Sequence, residues 1–412
     1  MSATAPKLFS VMVAMVAVFA LTACGMDGND IMRGVTQRDS AGIAIVGNAA
    51  PLLGEADSWT ISSEPDRVIG GTNDPDQELF RVRGAILLRD GSIAIANNGT
   101  HEARVYGPDG ELLRRIGREG EGPGELLSLE GIWTLAGDSI ALWDADRKHV
   151  IVYDLHGAYA RSVRMNINAN RPLAFPNGDV LVYSSVHDTN PRAVHETWWE
   201  DFLFVRYNAA GDSLNTIGPL PGMEYMASDW QGQQLRASRG LGHQAATATG
   251  PEVFFYGDSR AFRIFVFEPD GRLARIIDRD AQLKPVTAGI RDAYVRQRVA
   301  AASSPELKQA YADYFATLSF PEYLPAYSAF AADPEGNLWV REWAPGGSAE
   351  TIWSIFSAQG RWLTQLRMPA SELLEAGTRH VLLLLRDELD VERVALFQLV
   401  RPPQPESSWL DR

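Results

Sequence analysis

Ser92-Ile93-Ala94-Ile95-Ala96, then Val105-Tyr106-Gly107-Pro108-Asp109-Gly110, then Glu111-Leu112-Leu113-Arg114-Arg115-Ile116: these three runs decide the fold. Each is a short apolar or alternating segment, and the last two are joined by Asp-Gly. That is the pattern of an antiparallel hairpin, in which the glycine supplies the positive φ that a tight turn requires. The aromatic four positions before a glycine recurs at Tyr153 and Gly157, Tyr207 and Gly211, Phe267 and Gly271, and Phe356 and Gly360. An earlier turn precedes each, at Asp90-Gly91, Gly137-Asp138, Asn177-Gly178, Gly250-Pro251 and Glu335-Gly336. Two hairpins per unit make four strands per unit.

The closing glycines are 47, 54, 60 and 89 residues apart. The last interval contains a change of period between Val286 and Leu324. There Tyr294, Val295, Arg298 and Val299, then Ser304-Pro305-Glu306, then Leu307, Ala310, Tyr311, Tyr314 and Phe315 read as two helices. Without that insertion the array is regular, and four-stranded units of this length are the mark of propeller blades. The tail, His380 to Leu385 and Arg393 to Val400, leaves a last unit without its outer strand. Trp59-Thr60-Ile61 to Val68-Ile69 has no blade of its own. Pairing the two removes both open edges. The expectation is an all-β, six-bladed β-propeller over residues 59–401, closed by strands from both termini, with one helical insertion at about 286–324. Seven blades is the second count. Asp39 to Val46 adds an edge strand, residues 25–38 read as a polar tether, and 402–412 is a tail.

Composition sets the partners. The 412 residues carry 38 Lys and Arg against 52 Asp and Glu, a net charge of −14, so the average surface repels phosphate backbones and nucleic acid is not expected as a partner. The single cysteine, Cys24, cannot form an intrachain disulfide. It closes an uncharged run, Leu8 to Ala23, preceded by Lys7, as an export signal would. Leu21-Thr22-Ala23-Cys24 resembles the lipobox of bacterial lipoproteins. That resemblance implies removal of residues 1–23, lipidation of Cys24 and a membrane partner held through the N-terminal lipid. Gly25 in place of Asp resembles outer-membrane sorting, periplasmic or surface-exposed.

Gly117-Arg118-Glu119-Gly120-Glu121-Gly122-Pro123-Gly124-Glu125-Leu126 resembles the inter-blade turn of NHL-type propellers. With Arg38-Asp39-Ser40-Ala41-Gly42, Pro334 to Arg341 and Asp387 to Glu392, the chain is similar to the bacterial six-bladed β-propeller lipoprotein family. This implies a fold and an envelope location, and no activity. The glycine-rich stretch itself lacks a Gly-Lys-Ser/Thr ending, and its three glutamates would repel phosphate, so it reads as a structural turn.

Two readings of the chemistry stay open. Asp144-Ala145-Asp146-Arg147, Asn97-Asn98, Asp258-Ser259-Arg260 and Arg341-Glu342 occupy equivalent strand ends that meet on one face. Asp144 and Asp258 there are candidate ligands for Ca²⁺ or Zn²⁺ in a metal-dependent hydrolase or lyase of the gluconolactonase kind. Against this, Asp and Asn at strand ends bond their own turns, and Arg260 and Arg341 oppose a cation. The seven histidines show no metal spacing; His187 and His195 are separated by Pro191. No Gly-x-Ser-x-Gly is present. The reading favoured here is non-enzymatic and needs no cofactor. In it the loop 188–200 with Trp198 and Trp199, and the connection carrying Tyr225, Trp230, Arg236, Arg239 and His243, shape a binding face together with Arg260 and Arg341. Aromatics among arginines suit an anionic small molecule, a glycan, a peptide or an envelope protein. Tyr294, Leu307, Tyr311 and Phe315 read as the packing stripe of the insertion.

Overall fold

The computed structural model describes residues 34–71, 74–135, 137–165, 172–186, 192–230 and 232–402. Six sheets, each antiparallel within its own blade, follow one another along the chain. Blade one is Val82–Leu87, Ile93–Asn97, Glu102–Tyr106 and Leu112–Ile116; blade two is Leu129–Thr134, Ile140–Asp144, His149–Tyr153 and Tyr159–Arg164. Blade three is Leu173–Ala174, Val180–Val186, Thr197–Tyr207 and Ser213–Trp230, with Gln233–Ser238 added. Blade four is Ala246–Thr249, Phe254–Gly257, Arg263–Phe267 and Leu273–Arg279, and blade five is Tyr327–Ala332, Leu338–Glu342, Glu350–Phe356 and Trp362–Pro369. Blade six is Glu372–Ala376, His380–Arg386 and Glu392–Val400, completed by Thr60–Ile61 and Arg67–Ile69 from the N-terminal side. The expected count of six and the closure by both termini hold.

The period-2 alternation explains why the blades stack into a ring. Successive side chains of a strand point to opposite faces, so each blade offers one apolar set to each neighbour. In Ile93–Asn97, Ala94 and Ala96 join the cluster shared with blade two, whereas Ile93 and Ile95 join the cluster shared with blade six. Six such clusters occupy the six blade junctions, and Trp143, Trp339, Tyr327 and Phe204 are fully buried in them. Gly110 sits at φ +83°, as its turn role requires.

Strand direction gives the ring two faces. On one, the inner strands end and hairpin turns such as Asp90-Gly91 and Asp109-Gly110 lie; this is the turn face. On the other lie the second-to-third strand connections and the inter-blade crossings. The insertion rises there between blades four and five, as α1 (Ala288–Ala300) and α2 (Pro305–Ala316), capped by Thr287 and Ser304. This is the insertion face. The insertion is rooted by a pinched neck, in which Val286 N–H reaches Glu322 O and Leu324 N–H reaches Lys284 O, both at 2.9 Å.

Three expectations are corrected. Trp198 and Trp199 lie in the strand Thr197–Tyr207, and Tyr225, Trp230 and Arg236 lie in Ser213–Trp230 and Gln233–Ser238. What reads as loops is therefore a tall hairpin that carries blade three beyond the ring. Residues 35–38 of the expected tether already belong to the strand Val35–Ser40, which pairs with Ile43–Asn48. That hairpin docks on blade four, its second strand running parallel to Leu273–Arg279. From there Leu52 and Leu53 donate to Trp362 O and Leu363 O on the rim of blade five, both at 2.9 Å, before the chain closes blade six. The N-terminal segment is a belt over three blades.

Candidate functional site

The hairpin of blade three and the insertion lean on each other above the ring. Trp230 meets Tyr311 and Tyr314 edge-on, at centroid distances of 5.8 and 5.3 Å, and Ser228 Oγ lies 3.1 Å from Tyr314 Oη. Tyr294 packs edge-on against Phe315 and Phe320. These contacts bear out the packing role of Tyr294, Tyr311 and Phe315. Between hairpin, α1 and the blade-five loop they leave a cleft of about 560 Å³, lined in part by Glu224, Arg239, His243, Tyr294, Arg298 and Trp343.

One wall of the cleft is a closed charge cluster. Glu224 accepts the His243 backbone N–H at 2.9 Å, lies 3.0 Å from His243 Nδ1 and accepts Arg239 at 2.8 Å. Burial alone would raise the Glu224 carboxyl, but the His243 hydrogen bonds and the Arg239 charge outweigh it and hold the group at about 2. Arg239 also donates to Phe320 O at 2.8 Å. Of the expected binding residues, Arg239 and His243 therefore line the cleft but are tied into its wall. The opposite wall is less committed. Arg298, in the last turn of α1, is exposed, lies 5.3 Å from the Tyr294 ring centroid and forms no ion pair among the described residues.

The other expected residues surround the cleft without sharing it. Arg260 is paired with Asp258 through Nε at 3.0 Å and sits 5.0 Å from the Trp199 ring centroid. Trp198 stacks on Tyr225 at 6.1 Å and carries Arg192 over its ring. Arg341 is half-buried on blade five; burial pushes its guanidinium below the usual range, with Glu372 opposing. It forms no ion pair among the described residues.

The candidate metal ligands serve the backbone. Asp144 is fully buried, and its carboxylate accepts the N–H groups of Leu127 at 2.9 Å, Ser128 at 3.2 Å and Arg147 at 3.2 Å. Asp258 accepts the N–H and side chain of its neighbour Arg260. Among the described residues no three His, Cys, Asp or Glu side chains gather in metal-binding geometry. The glycine-rich stretch folds back on itself, with Glu125 accepting Gly122 N–H at 2.7 Å, and anchors blade two through Tyr153 Oη to Gly124 O at 2.7 Å. Cys24 and His187 lie outside the described residues.

A second cavity, about 570 Å³, opens at the turn-face mouth of the central channel, where all six blades contribute, among them Leu87, Trp133, Phe175, Pro251, Asp333 and Glu375. Reading the sequence alone missed Glu224, Arg298 and Trp343 as cleft residues. Glu224 left one trace, as the lone acid between Met223 and Tyr225. Trp343 left none, because its place depends on a blade-five loop meeting a helix from elsewhere.

Residues 74–216 match the family model DUF5128, described as 6-bladed beta-propeller. The chain is a six-bladed β-propeller. Of curated proteins, the RING finger protein nhl-1 of Caenorhabditis elegans is 33% identical over 78 residues, 19% of this chain. The match spans only 8% of that relative's length. Among solved structures, a member of the DUF4221 family from Bacteroides vulgatus superposes with a TM-score of 0.48 at 10% identity, over 84% of this propeller and 99% of that chain. Virginiamycin B lyase from Staphylococcus aureus superposes with a TM-score of 0.39 at 9% identity, over 81% and 99%. A calcium-binding protein, regucalcin, from Agrobacterium tumefaciens does so with 0.41 at 8% identity, over 83% and 95%.

Proposed function

We propose that this propeller is a lipid-anchored, outer-membrane binding platform of the cell envelope, whose insertion face recognises an anionic small molecule, an acidic peptide, a glycan or an envelope protein. The observation that carries the reading is the cleft of about 560 Å³. It is built by the hairpin of blade three and the insertion, two additions that ring closure does not require. Concave sites with ring faces and a few placed polar groups are what recognition uses. Here Tyr294 and Trp343 supply the rings and Arg298 an uncommitted cation, while the Glu224, Arg239 and His243 cluster keeps the facing wall rigid. Arg341 and Trp199 extend the face.

The anchor rests on Leu21-Thr22-Ala23-Cys24 and the uncharged run before it. The hydrolase or lyase alternative has no supporting observation, since Asp144 and Asp258 are spent on turns.

The test is site-specific cross-linking in intact cells. A photoreactive residue placed at Ala344, on the cleft rim, is expected to give a discrete adduct that an added Arg298→Ala change suppresses. The same probe at Asp109, on the turn face, is expected to give none. An adduct common to both positions, or one indifferent to Arg298, would count against the reading.

A further inference from the structure

We propose that the cleft takes a uronic acid unit of an acidic glycan, a sugar ring carrying a single carboxylate. This rests on the reading of the cleft as a binding site, and it names the ligand class. The groups that the protein leaves open around the cleft support the choice.

Charge sets the first condition. Of the two arginines that line the cleft, Arg239 is held by Glu224 at 2.8 Å, whereas Arg298 forms no ion pair among the described residues. One uncommitted guanidinium matches one carboxylate, through two parallel hydrogen bonds. A second carboxylate on the ligand would lose its water here without a cation to replace it.

The other open polar groups are neutral hydrogen-bonding side chains from separate elements. Ser238, at the end of the blade-three hairpin, and Gln297, on α1, are exposed, and their side chains make no hydrogen bond among the described residues. A hydroxyl and a carboxamide both donate and accept, as sugar hydroxyls do. His243 adds a third contact. Its Nδ1 lies 3.0 Å from the Glu224 carboxylate, which can only accept, so Nδ1 is the donor of that pair. Nε2 is left without a partner among the described residues.

Trp343 completes the set. Its ring is half-buried in the cleft wall and packs on no other ring or guanidinium among the described residues. An indole face left open in a concave site is a platform for the apolar C–H face of a sugar. Gln297 stands against the same loop, since a Cβ at Gly346 would lie 2.5 Å from its Oε1. Ring face, hydroxyl partners and a lone cation therefore border one space.

The test is isothermal titration of the full chain with galacturonate and glucuronate trisaccharides, and with their methyl esters, which keep the hydroxyls and lose the charge. At least one uronate is expected to bind saturably, about tenfold or more tighter than its ester. In Arg298→Ala the acid and its ester are expected to bind alike, whereas Trp343→Ala and Gln297→Ala weaken both. The comparison of acid with ester in the wild type stands whether or not a variant folds. Glutarate and a triglutamate peptide are titrated beside them. Binding of either while no uronate binds, an ester equal to its acid in the wild type, or a preference for the acid that survives Arg298→Ala overturns this inference and leaves the binding cleft standing. No saturable binding by any of them overturns the anionic-ligand reading of the cleft and the inference with it.

Discussion

Glu392 accepts the backbone N–H of Val82 at 2.8 Å across the seam where the last blade meets the first. A second carboxylate of blade six, Glu375, does the same for Leu87 at 2.7 Å. The inner strand of blade one is thus held at both ends by acids of its neighbour. Glu392→Ala leaves the Val82 N–H buried without its partner and also removes the partner of Arg386, for a cost of about 1–3 kcal/mol. Calorimetry is expected to show a midpoint lowered by a few degrees, and less for Glu392→Gln, whose amide oxygen can still accept. An unchanged midpoint in both would remove the seam from the account of closure.

The cleft wall makes stability depend on acid. Glu224 is held at about 2, below the ordinary 4.5, so its ionised form is favoured in the folded state. A depressed carboxyl contributes fully above the unfolded value and loses that contribution as pH falls through the folded one. Wild type should therefore exceed Glu224→Gln at pH 6 by about 3 kcal/mol, the gap closing between pH 4.5 and 2. Urea unfolding at pH 6 and pH 3 compares the full gap with one already reduced to less than half. A gap that does not change with pH would show that the carboxylate's charge is not what holds the wall.

Trp230 is the joint between hairpin and insertion. Its two edge-on pairs with Tyr311 and Tyr314 each contribute about 0.5–1.5 kcal/mol beyond area burial. Trp230→Ala should free the insertion without opening the ring. Trypsin is then expected to cut at Arg291, Arg296 and Arg298 faster than in wild type, while the remaining chain stays resistant. Equal cutting rates would mean that the neck alone positions the helices.

The order of the blades was legible because a propeller repeats its turns, so that Tyr106 and Gly110 announce what Phe356 and Gly360 repeat. Closure was legible for a related reason, since the last unit lacked a strand and Trp59 to Ile69 had no other place. The tall hairpin was not. Gly218, Pro219, Pro221 and Gly222 interrupt Ser213–Trp230 and read as loop, yet the backbone pairs on both sides of them through register shifts at Glu200/Asp201 and Phe202/Phe204. The cleft escaped for a different cause. Its residues come from blade three, α1 and a blade-five loop, and no local pattern records that they meet.

The N-terminal belt depends on one side chain. Asn48 donates to Gly360 O at 3.0 Å and Asp278 O at 3.2 Å, and accepts Trp362 N–H at 2.8 Å, joining blades four and five. Asn48→Ala leaves buried groups without partners, at about 1–3 kcal/mol. Hydrogen exchange is expected to accelerate over residues 43–47 and at Leu52 and Leu53, with the blade interiors unchanged. Uniform acceleration would mean that the belt is an integral part of the ring's stability.

The central claim is that the cleft recognises an anionic ligand. Isothermal titration of the full chain with a panel of acidic peptides, dicarboxylates and acidic oligosaccharides tests it most directly, comparing wild type with Arg298→Ala, Trp343→Ala and the turn-face control Arg89→Ala. The account predicts saturable binding of at least one class, weakened about tenfold or more, or about 1.4 kcal/mol, by either cleft change and untouched by the control. Binding that survives both cleft changes, or is lost only with Arg89, would contradict it.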